Sequence, residues 1–430
     1  MFGNAGAELK PLKPGDTVCI IGGGPGGAAC ARALKLEGRR QGKELHVVIY
    51  EQKRFKEHRQ HNQCIGVLSP PLETILDTRL GLHLPEGLAK KRMTGYCLHS
   101  DRLSLPLTGE EEDPTWAVSR VEFDEFMLDQ AIDAGAEINH NRVTGIEFLP
   151  DGVLVYSEGK NCRAAAVVGA FGLDDGTTAI FEEATPYRRP DHLNTIITRL
   201  YPDPSFLDRL GPVIHAFLLS FRGLEFGAVT PKLEHLSINI AGRRVSSRVM
   251  LNFLRSDPVQ RFLPPAQRRE KPLNYFCGKF PISPARHLYG DRYVTIGDAA
   301  GLIRPFKGKG INSACLTGLF AAQCLVEHGA SREAFRRYFM KDCEELTGDL
   351  WYGRALRLLT NLSTRFKFMD HLLLIARNDP VLMRCLFNCV SGHLPYKKII
   401  ADTARVSIGM KIARELFRHF VLFQTVPMET

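Results

Sequence analysis

The sequence lacks a hydrophobic run that could cross a bilayer, because no uninterrupted apolar stretch approaches the ~18 residues that a transmembrane helix needs. Its first ten residues also lack the basic segment and apolar core of a secretory signal. The eleven cysteines show no pairing pattern, since only Cys385 and Cys389 lie close together and their spacing fits no common zinc motif. These absences predict a reducing compartment and a cytoplasmic location, with a position at the membrane periphery as the alternative.

Extremes of composition are missing as well. The 430 residues are 44% hydrophobic and 24% charged, without internal repeats or low-complexity tracts, which excludes disordered, collagen-like and coiled-coil chains. The length predicts two or three core-forming units. The net charge of +9 is modest, so it allows contact with anionic surfaces or phosphorylated ligands, and we expect no nucleic-acid partner.

A glycine-rich turn between a strand and a helix is the strongest local signal. Residues 17–21 predict a buried strand, 28–36 a helix and 46–50 a second strand, and the complete G-x-G-x-x-G pattern lies between the first two. Glu51 ends the second strand. A carboxylate in that position accepts the ribose hydroxyls of an adenosine and repels a 2′-phosphate. This order of elements predicts a dinucleotide site.

Each residue of the turn has a physical role. Gly22 permits the tight turn, Gly24 lets the backbone approach a pyrophosphate, and Gly27 lets the helix pack closely on the strand. Pro25 and Gly26 complete the start of the helix, where backbone N–H groups and the helix dipole favour phosphate. The binding groups are therefore backbone N–H groups rather than side chains.

A second glycine-rich segment lies far downstream. Residues 293–296 predict a returning strand that runs into GDAAG at 297–301, and GKGIN at 308–312 opens a helix predicted over 310–324. A strand that ends in Gly-Asp places the Asp298 carboxylate against a polyol hydroxyl. The helix N-terminus can face a ring that carries negative charge, as a reduced flavin does. Two nucleotide signals so far apart fit one long ligand, FAD.

These motifs resemble those of flavoproteins with the para-hydroxybenzoate hydroxylase fold. The shared segments are IIGGGPGG at 20–27, the RVEFD run that begins at Arg120, and the two downstream glycine segments. Within that group, CIG at 64–66 resembles the CGG segment of the geranylgeranyl reductase family, and FGAVTPK at 226–232 resembles a strand of its substrate domain. The resemblance covers roughly residues 15–330.

The resemblance implies roles for the residues that match these motifs. It implies that Arg120 lies along the FAD pyrophosphate or ribityl chain and that Asp298 binds the ribityl hydroxyls. The downstream segment is implied to lie beside the isoalloxazine through Gly308, Gly310, Ile311 and Asn312. The alternatives are a surface salt bridge for Arg120 and a helix N-cap for Asp298.

The element order and the resemblance predict a mixed α/β (α+β) fold in three parts. A Rossmann-type FAD-binding domain is expected over 15–184 and 285–330, and an inserted mixed β-sheet substrate domain over 185–284. Residues 331–430 are helical in pattern and predict a C-terminal helical region.

The chain departs from the family pattern at several positions. The acid of the usual Gly-Ala-Asp-Gly segment is replaced by Phe171. That acid helps to engage both FAD and NAD(P)H in the hydroxylases, so the electron donor stays open between NAD(P)H and a ferredoxin. Asp174 or Asp175 could substitute for it. Ile65 and Val229 stand where the family has a glycine and a large aromatic, so its substrate pocket is not simply transferable.

The chemistry expected of the site is reduction of isoprenoid double bonds in a polyprenyl lipid or quinone. An unactivated alkene needs a proton donor, and Cys64 is the candidate because a free thiol is mostly protonated at neutral pH. A buried structural thiol is the alternative. The competing functions are an FAD monooxygenase on an aromatic or polyketide-like substrate and a flavin electron-transfer protein. Trp116 and Trp351 form no halogenase motif.

The C-terminal region and a histidine pair leave further alternatives. An apolar stripe at helical spacing predicts an amphipathic helix that packs on the protein's own core, or else lies on an anionic membrane. The stripe comprises Ile399, Val406, Met410, Ala413, Phe417 and Phe420. The many leucines of 350–390 wall a lipid pocket or form helical core. His58 and His61 have no third ligand in the pattern, so no metal site is predicted.

Overall fold

A computed structural model describes residues 11–54, 64–107, 115–265, 274–304, 309–392, 394–404 and 406–420. Gly308, His58 and His61 lie outside these ranges.

The strands are β1 Thr17–Ile21, β2 His46–Tyr50, β3 Val67–Leu68, β4 Ala89–Met93, β5 Gly95–His99, β6 Ser104–Leu107, β7 Thr115–Val118, β8 Glu137–Asn139, β9 Val143–Leu149, β10 Gly152–Ser157, β11 Cys162–Ala164, β12 Ala166–Gly169, β13 His192–Leu200, β14 Val213–Phe217, β15 Phe226–Pro231, β16 Leu236–Gly242, β17 Phe276–Pro281, β18 Tyr289–Gly290 and β19 Tyr293–Thr295. The helices are α1 Pro25–Arg40, α2 Leu72–Leu80, α3 Arg120–Asp133, α4 Asp175–Ala184, α5 Pro204–Leu210, α6 Ser247–Arg255, α7 Asp257–Gln260, α8 Gly310–His328, α9 Arg332–Ala334, α10 Met340–Asp342, α11 Glu344–Arg365, α12 Met369–Arg377, α13 Pro380–Ser391, α14 Tyr396–Thr403 and α15 Val406–Phe420.

A six-stranded sheet in the order β18-β19-β12-β1-β2-β8 forms the nucleotide-binding half of the protein. All its neighbouring pairs are parallel except β18 with β19. The central strand is apolar without alternation and almost fully buried, which is typical of a parallel sheet covered on both faces. The predicted strands at 17–21 and 46–50 are confirmed with the same limits.

The two helices that follow the glycine motifs cross at very short distance. A Cβ atom on Gly318 of α8 would collide with the carbonyl oxygen of Gly26 in α1, and one on Gly26 would lie 3.1 Å from the carbonyl oxygen of Ala314. Only small residues allow two helix backbones to approach so closely. The crossing places the N-termini of α1 and α8 against the same cavity, which Gly24 and Gly310 both line.

A seven-stranded sheet in the order β17-β13-β16-β15-β14-β5-β6 forms the second half. Its strand β14 pairs in parallel with β5, so residues 95–107 join strands from 192–281 in one sheet. The mixed α/β fold is confirmed. The three domain limits remain predictions.

The C-terminal helices pack on one edge of this sheet. Leu373 of α12 and Phe387 of α13 share an apolar cluster with Tyr96 and Leu105. Farther along the sheet, Arg357 of α11 makes two hydrogen bonds of 2.8 and 2.7 Å to the Glu225 carboxylate. The helical region is thereby fixed at the β6 edge of the sheet and beside the start of its middle strand, β15.

Helix α15 differs from the expected packing. Met410 and Phe417 of the predicted stripe are 63% and 55% exposed, so the expectation that the stripe packs on the protein's own core is wrong there. Ile408 is buried and Ile412 half-buried instead, because the helix is rotated relative to the predicted face. Within the described ranges, no helix is both long enough and apolar enough to span a membrane.

Candidate functional site

One large cavity, of about 1650 Å³, lies between the two sheets and the C-terminal helices. Its lining includes Gly22, Gly24, Pro25, Gly26, Glu51, Cys64, Arg120, Asp298, Gly310, Ile311 and Asn312. The structure therefore brings every described site residue predicted from the sequence to one cavity, except Gly27. Gly27 lies behind the turn, where it allows the helix to pack.

The first turn has the shape that a pyrophosphate needs. Gly22 has φ +110°, and a Cβ there or on Gly27 would collide with neighbouring backbone carbonyls. A Cβ on Gly24, in contrast, would meet nothing within 4 Å. Gly24 therefore faces open cavity, while the other two glycines are required by contact with the protein itself.

The Glu51 carboxylate is oriented by backbone N–H groups at the end of β2. One oxygen accepts from the Gly23 N–H at 2.8 Å and the other from the Lys53 N–H at 2.8 Å. A carboxylate has about four lone-pair directions, so both oxygens keep the capacity to accept a ribose hydroxyl. This agrees with the role predicted from the strand-end position.

The second glycine segment places Asp298 at the N-terminus of α8. The Gly297 N–H donates to the Thr317 hydroxyl of α8 at 2.9 Å, which ties the end of the strand to the helix. A Cβ on Gly310 would lie 3.4 Å from Asp298 Oδ1. Burial raises the pKa of Asp298 to about 6, and the charge of Arg120 opposes this rise. Hydroxyl donors of a polyol would satisfy such a carboxylate.

Arg120 stands at the first turn of α3 and is held by a buried acid. Its Nε and Nη2 donate to Asp124 Oδ1 at 3.1 and 2.8 Å, and the Asp124 side chain is only 4% exposed. Burial alone would lower the pKa of Arg120, but Asp124 and the Cys64 sulfur raise it above its ordinary value. Arg120 is therefore not the surface salt-bridge residue that the sequence offered as an alternative.

The segment that carries Cys64 is fixed from two sides. Lys232 Nζ donates to the Val118 carbonyl at 2.7 Å and lies 3.5 Å from the Gly66 carbonyl. Burial lowers the pKa of Lys232 to about 8, although the Cys64 sulfur acts in the opposite direction. From the other side, Asn312 Nδ2 donates to the Ser69 carbonyl at 3.0 Å. Cys64 itself is half-buried and lines the cavity.

Lys232 belongs to the FGAVTPK motif at 226–232, but the sequence predicted no role for it. Its signal was a lysine beside a proline at the end of an apolar strand, where a charged side chain must find buried partners. Those partners are backbone carbonyls, which no side-chain pattern can reveal.

Phe171 fills the position of the missing acid with an aromatic cluster. Its ring lies 4.7 Å from that of Phe181 and 5.9 Å from that of Tyr187. Asp174 caps α4 by accepting from the Thr177 N–H at 2.8 Å, and Asp175 pairs with lysine and arginine side chains. Both acids line the cavity, but their carboxylates are already engaged in a helix cap and in salt bridges.

Beyond the glycine motifs, the cavity continues into an apolar branch. The sheet contributes Tyr96, Leu98, Ile214 and Ala216, and the C-terminal helices contribute Leu356, Leu359, Met369, Leu372, Leu373, Leu382, Leu386, Val390 and Ile412. Six leucines of 350–390 therefore wall the cavity, whereas Phe387 is buried core. Two polar atoms in this lining, Thr230 Oγ1 and Asn239 Oδ1, are buried without a hydrogen-bond partner among the described residues.

The residues present fit FAD at both ends. Three groups keep a binding capacity that the protein itself does not use. Gly24 faces the open cavity, the Glu51 carboxylate can accept further hydrogen bonds, and the buried Asp298 carboxylate has a raised pKa. An FAD molecule would be held by these groups, with its flavin ring near α8 and Cys64. The individual contacts to FAD remain predictions.

Comparisons with known proteins agree with this geometry. No family model matches the chain. It is 27% identical to digeranylgeranylglycerophospholipid reductase 1 of Methanopyrus kandleri over 72% of this chain and 80% of the relative. It is 24% identical to reductase 2 of the same organism, over 93% of this chain and 99% of the relative. The chain is therefore similar to the geranylgeranyl reductases, and these relatives support an FAD-dependent oxidoreductase.

A solved structure shows the same fold over nearly the whole length. The geranylgeranyl bacteriochlorophyll reductase-like protein of Thermoplasma acidophilum superposes with a TM-score of 0.66 at 18% identity, over 94% of this chain and 99% of the other. The likeness includes the C-terminal helices. The likeness in fold therefore extends past residue 330, where the motif resemblance ended.

Two glycine substitutions should separate folding from cofactor binding. Gly27→Ala should lower the free energy of unfolding by about 1–3 kcal/mol, because the added methyl group overpacks the turn. Gly24→Ala should leave the thermal midpoint nearly unchanged but weaken FAD binding about tenfold or more, the equivalent of one lost charge-assisted hydrogen bond. Thermal unfolding and FAD titration measure both, with exposed Gly87→Ala as the control. Equal effects of the two substitutions on stability would contradict this assignment.

The raised pKa of Asp298 predicts pH-dependent FAD binding. Only the ionised carboxylate accepts from two hydroxyls, so FAD affinity should fall as the pH decreases through about 6. The FAD-free protein should show the opposite trend, because a raised carboxyl pKa means that this group adds stability when it is protonated, as the pH falls from about 6 toward 4. Flavin fluorescence titrations across this range test the prediction.

Asp298→Asn should weaken FAD binding and remove its dependence on pH near 6. Asp208→Asn, at an exposed position of α5, should keep the wild-type profile. A pH profile that survives in Asp298→Asn would assign the titration to another group.

Proposed function

We propose that this enzyme reduces isoprenoid carbon–carbon double bonds in a polyprenyl lipid or in the side chain of a quinone. The observation that carries the proposal is a single cavity that joins the dinucleotide site and Cys64 to a long apolar branch. The relatives whose names specify digeranylgeranylglycerophospholipid reduction support the same class of substrate. An aromatic substrate would not require the apolar branch.

The cavity has room for two ligands. Pockets for a single drug-sized molecule measure about 300–1,000 Å³, and this cavity exceeds that range at about 1650 Å³. A dinucleotide would occupy the part lined by the glycine motifs, and a flexible apolar chain would occupy the part among α11–α15. The unsatisfied atoms of Thr230 and Asn239 offer hydrogen bonds to a polar group of the substrate.

Saturation of an alkene consumes one hydride and one proton. Bound and reduced FAD supplies the hydride. We assign the proton to the Cys64 Sγ, because this thiol lines the cavity that the glycine motifs and the apolar branch share. Arg120 would stabilise the thiolate that remains after the transfer, since its guanidinium already interacts with the Cys64 sulfur. Lys232 would position the segment through its bonds to the Val118 and Gly66 carbonyls.

The surroundings of Phe171 favour a protein electron donor, such as a ferredoxin, over NAD(P)H. The acid that engages the nicotinamide in related hydroxylases is absent. The nearby carboxylates of Asp174 and Asp175 are occupied by a helix cap and by salt bridges.

A membrane-facing helix would suit such a substrate. Helix α11 and the residue that follows it carry a row of exposed apolar side chains at helical spacing: Trp351, Leu358, Leu359, Leu362 and Phe366. Leu359 lines the cavity as well, so this row adjoins a wall of the apolar branch. Basic residues on and next to the helix, including Arg354, Arg365 and Lys367, would favour an anionic lipid surface. We propose that α11 lies on that surface and receives the lipid from it.

The reductase proposal predicts a gain of two hydrogens in a polyprenyl substrate. The full-length enzyme is reduced without oxygen by ferredoxin or by NADPH, mixed with a geranylgeranylated lipid, and the lipid is analysed by mass spectrometry. We expect turnover with reduced ferredoxin and a Cys64→Ala rate lower by about 10²–10⁴-fold, the usual contribution of a general acid. Cys162→Ser, another half-buried thiol but outside the cavity, should keep its rate.

Two results would reject parts of this proposal. Fast formation of a flavin peroxide in air, without any change in the lipid, would favour the monooxygenase. Single-turnover reduction that is unaffected in Cys64→Ala would remove the thiol from the proton transfer but leave the reductase function in place.

The proposed membrane contact predicts flotation of the protein with vesicles that contain phosphatidylglycerol. The affinity of the combined variant Trp351→Ala, Leu358→Ala, Phe366→Ala for these vesicles should be at least about tenfold lower. The reason is that burying one large apolar side chain contributes about 1.5–3 kcal/mol. The combined variant Tyr201→Ala, Leu233→Ala removes exposed apolar groups elsewhere and should bind normally. Equal loss in both variants, or no binding by the unsubstituted protein, would contradict the proposed surface.

A further inference from the structure

A cysteine and two histidines meet on the face of the seven-stranded sheet that lies away from the cavity. Cys97 and His215 are register partners in the parallel pair β5–β14, and His99 lies two residues beyond Cys97. Neighbouring residues of these strands, Tyr96 and Ile214 among them, line the cavity. Because side chains alternate along a strand, the cysteine and both histidines point to the opposite face.

The three side chains are buried and close enough to share one ion. Their exposed fractions are 8% for Cys97, 2% for His99 and 7% for His215. The sulfur and one nitrogen from each ring lie within 4.8 Å of one another. His99 Nε2 and His215 Nδ1 are 3.1 Å apart, near the ~3.3 Å that two nitrogens show on a tetrahedral zinc with Zn–N bonds of about 2.0–2.1 Å.

The two ring nitrogens that point away from the proposed ion differ in their hydrogen bonding. His215 Nε2 is buried and has no hydrogen-bond partner among the described residues. His99 Nδ1, in contrast, lies 2.8 Å from the Ser104 hydroxyl. A metal-binding histidine usually has its other ring nitrogen bonded to an outer partner in this way.

We propose that Cys97, His99 and His215 bind a zinc ion that joins β5 to β14. One thiolate and two imidazoles are a donor set that zinc prefers, with a fourth position for water. The positive charge of Arg261, which lies near His99, disfavours a cation at this site. The negative charge of the Cys97 thiolate would offset this repulsion.

The site is separate from the proposed reductase chemistry, since it lies behind the sheet. Its expected effect is on the structure. The ion would hold residues 95–107 in a sheet whose other strands come from 192–281.

The test uses the full-length protein purified without chelators from cells grown with added zinc. We expect about one zinc per chain by mass spectrometry, and an X-ray absorption spectrum with one sulfur at about 2.3 Å and nitrogens at about 2.0–2.1 Å. Protein that contains no zinc and takes up none in equilibrium dialysis against zinc alone would overturn the proposal. So would a spectrum without a sulfur ligand.

Substitutions then assign the ligands. Cys97→Ser and His215→Ala should lose the metal, and Ser104→Ala should weaken zinc affinity about 10–100-fold through the outer hydrogen bond to His99. Cys343→Ser, a buried thiol outside the cluster, should retain one equivalent. Unchanged zinc content in a folded Cys97→Ser protein would refute the assignment. If that variant does not fold, the spectrum of the unsubstituted protein decides.

Discussion

The close crossing of α1 and α8 is the contact on which the nucleotide site depends. Gly26 and Gly318 let the two backbones touch, and a single Cβ at Gly318 would push them apart. The glycine motifs at the two helix N-termini, far apart in the sequence, then open into one cavity. Two helix dipoles and their free N–H groups converge there. A ligand with negative charge at both its centre and its ring end fits that field, which is why one extended flavin dinucleotide suits both motifs.

Charge around the reacting end of the cavity is organised by Arg120. This side chain is satisfied by Asp124, interacts with the Cys64 sulfur and opposes the rise in the pKa of Asp298. One buried cation thus acts on the thiol and on the carboxylate predicted to hold the ribityl chain. Lys232 adds a second positive group, whose pKa is lowered by burial, and bonds to the backbone on either side of this region. The Cys64 segment is therefore positioned by backbone contacts, and its thiol lies close to two positively charged side chains.

Local patterns predicted much of the nucleotide-binding half, because its signals lie within a few residues of each other. The strands at 17–21 and 46–50 follow directly from apolar runs, and the start of α8 follows from the glycine-rich segment before it. Contacts between residues that are far apart in the sequence could not be predicted from it. The pairing of β5 with β14 joins His99 to His215 across more than a hundred residues, and no spacing rule connects them. Lys232 was missed because its partners are carbonyl groups, which every residue has.

The rotation of α15 bears on how the enzyme meets its substrate. The helix turns Glu415 inward, where it pairs with Arg418 at 2.9 Å and lies 3.5 Å from His371, and it leaves Met410 and Phe417 exposed. The pairing offsets the cost of burying the Glu415 carboxylate, but the exposure of two large apolar side chains to water remains unfavourable. The arrangement is favourable if the outer face meets an apolar medium. Helix α11 repeats the pattern with Trp351, so two helices beside the apolar branch present large apolar side chains to the exterior, which supports the proposed membrane contact.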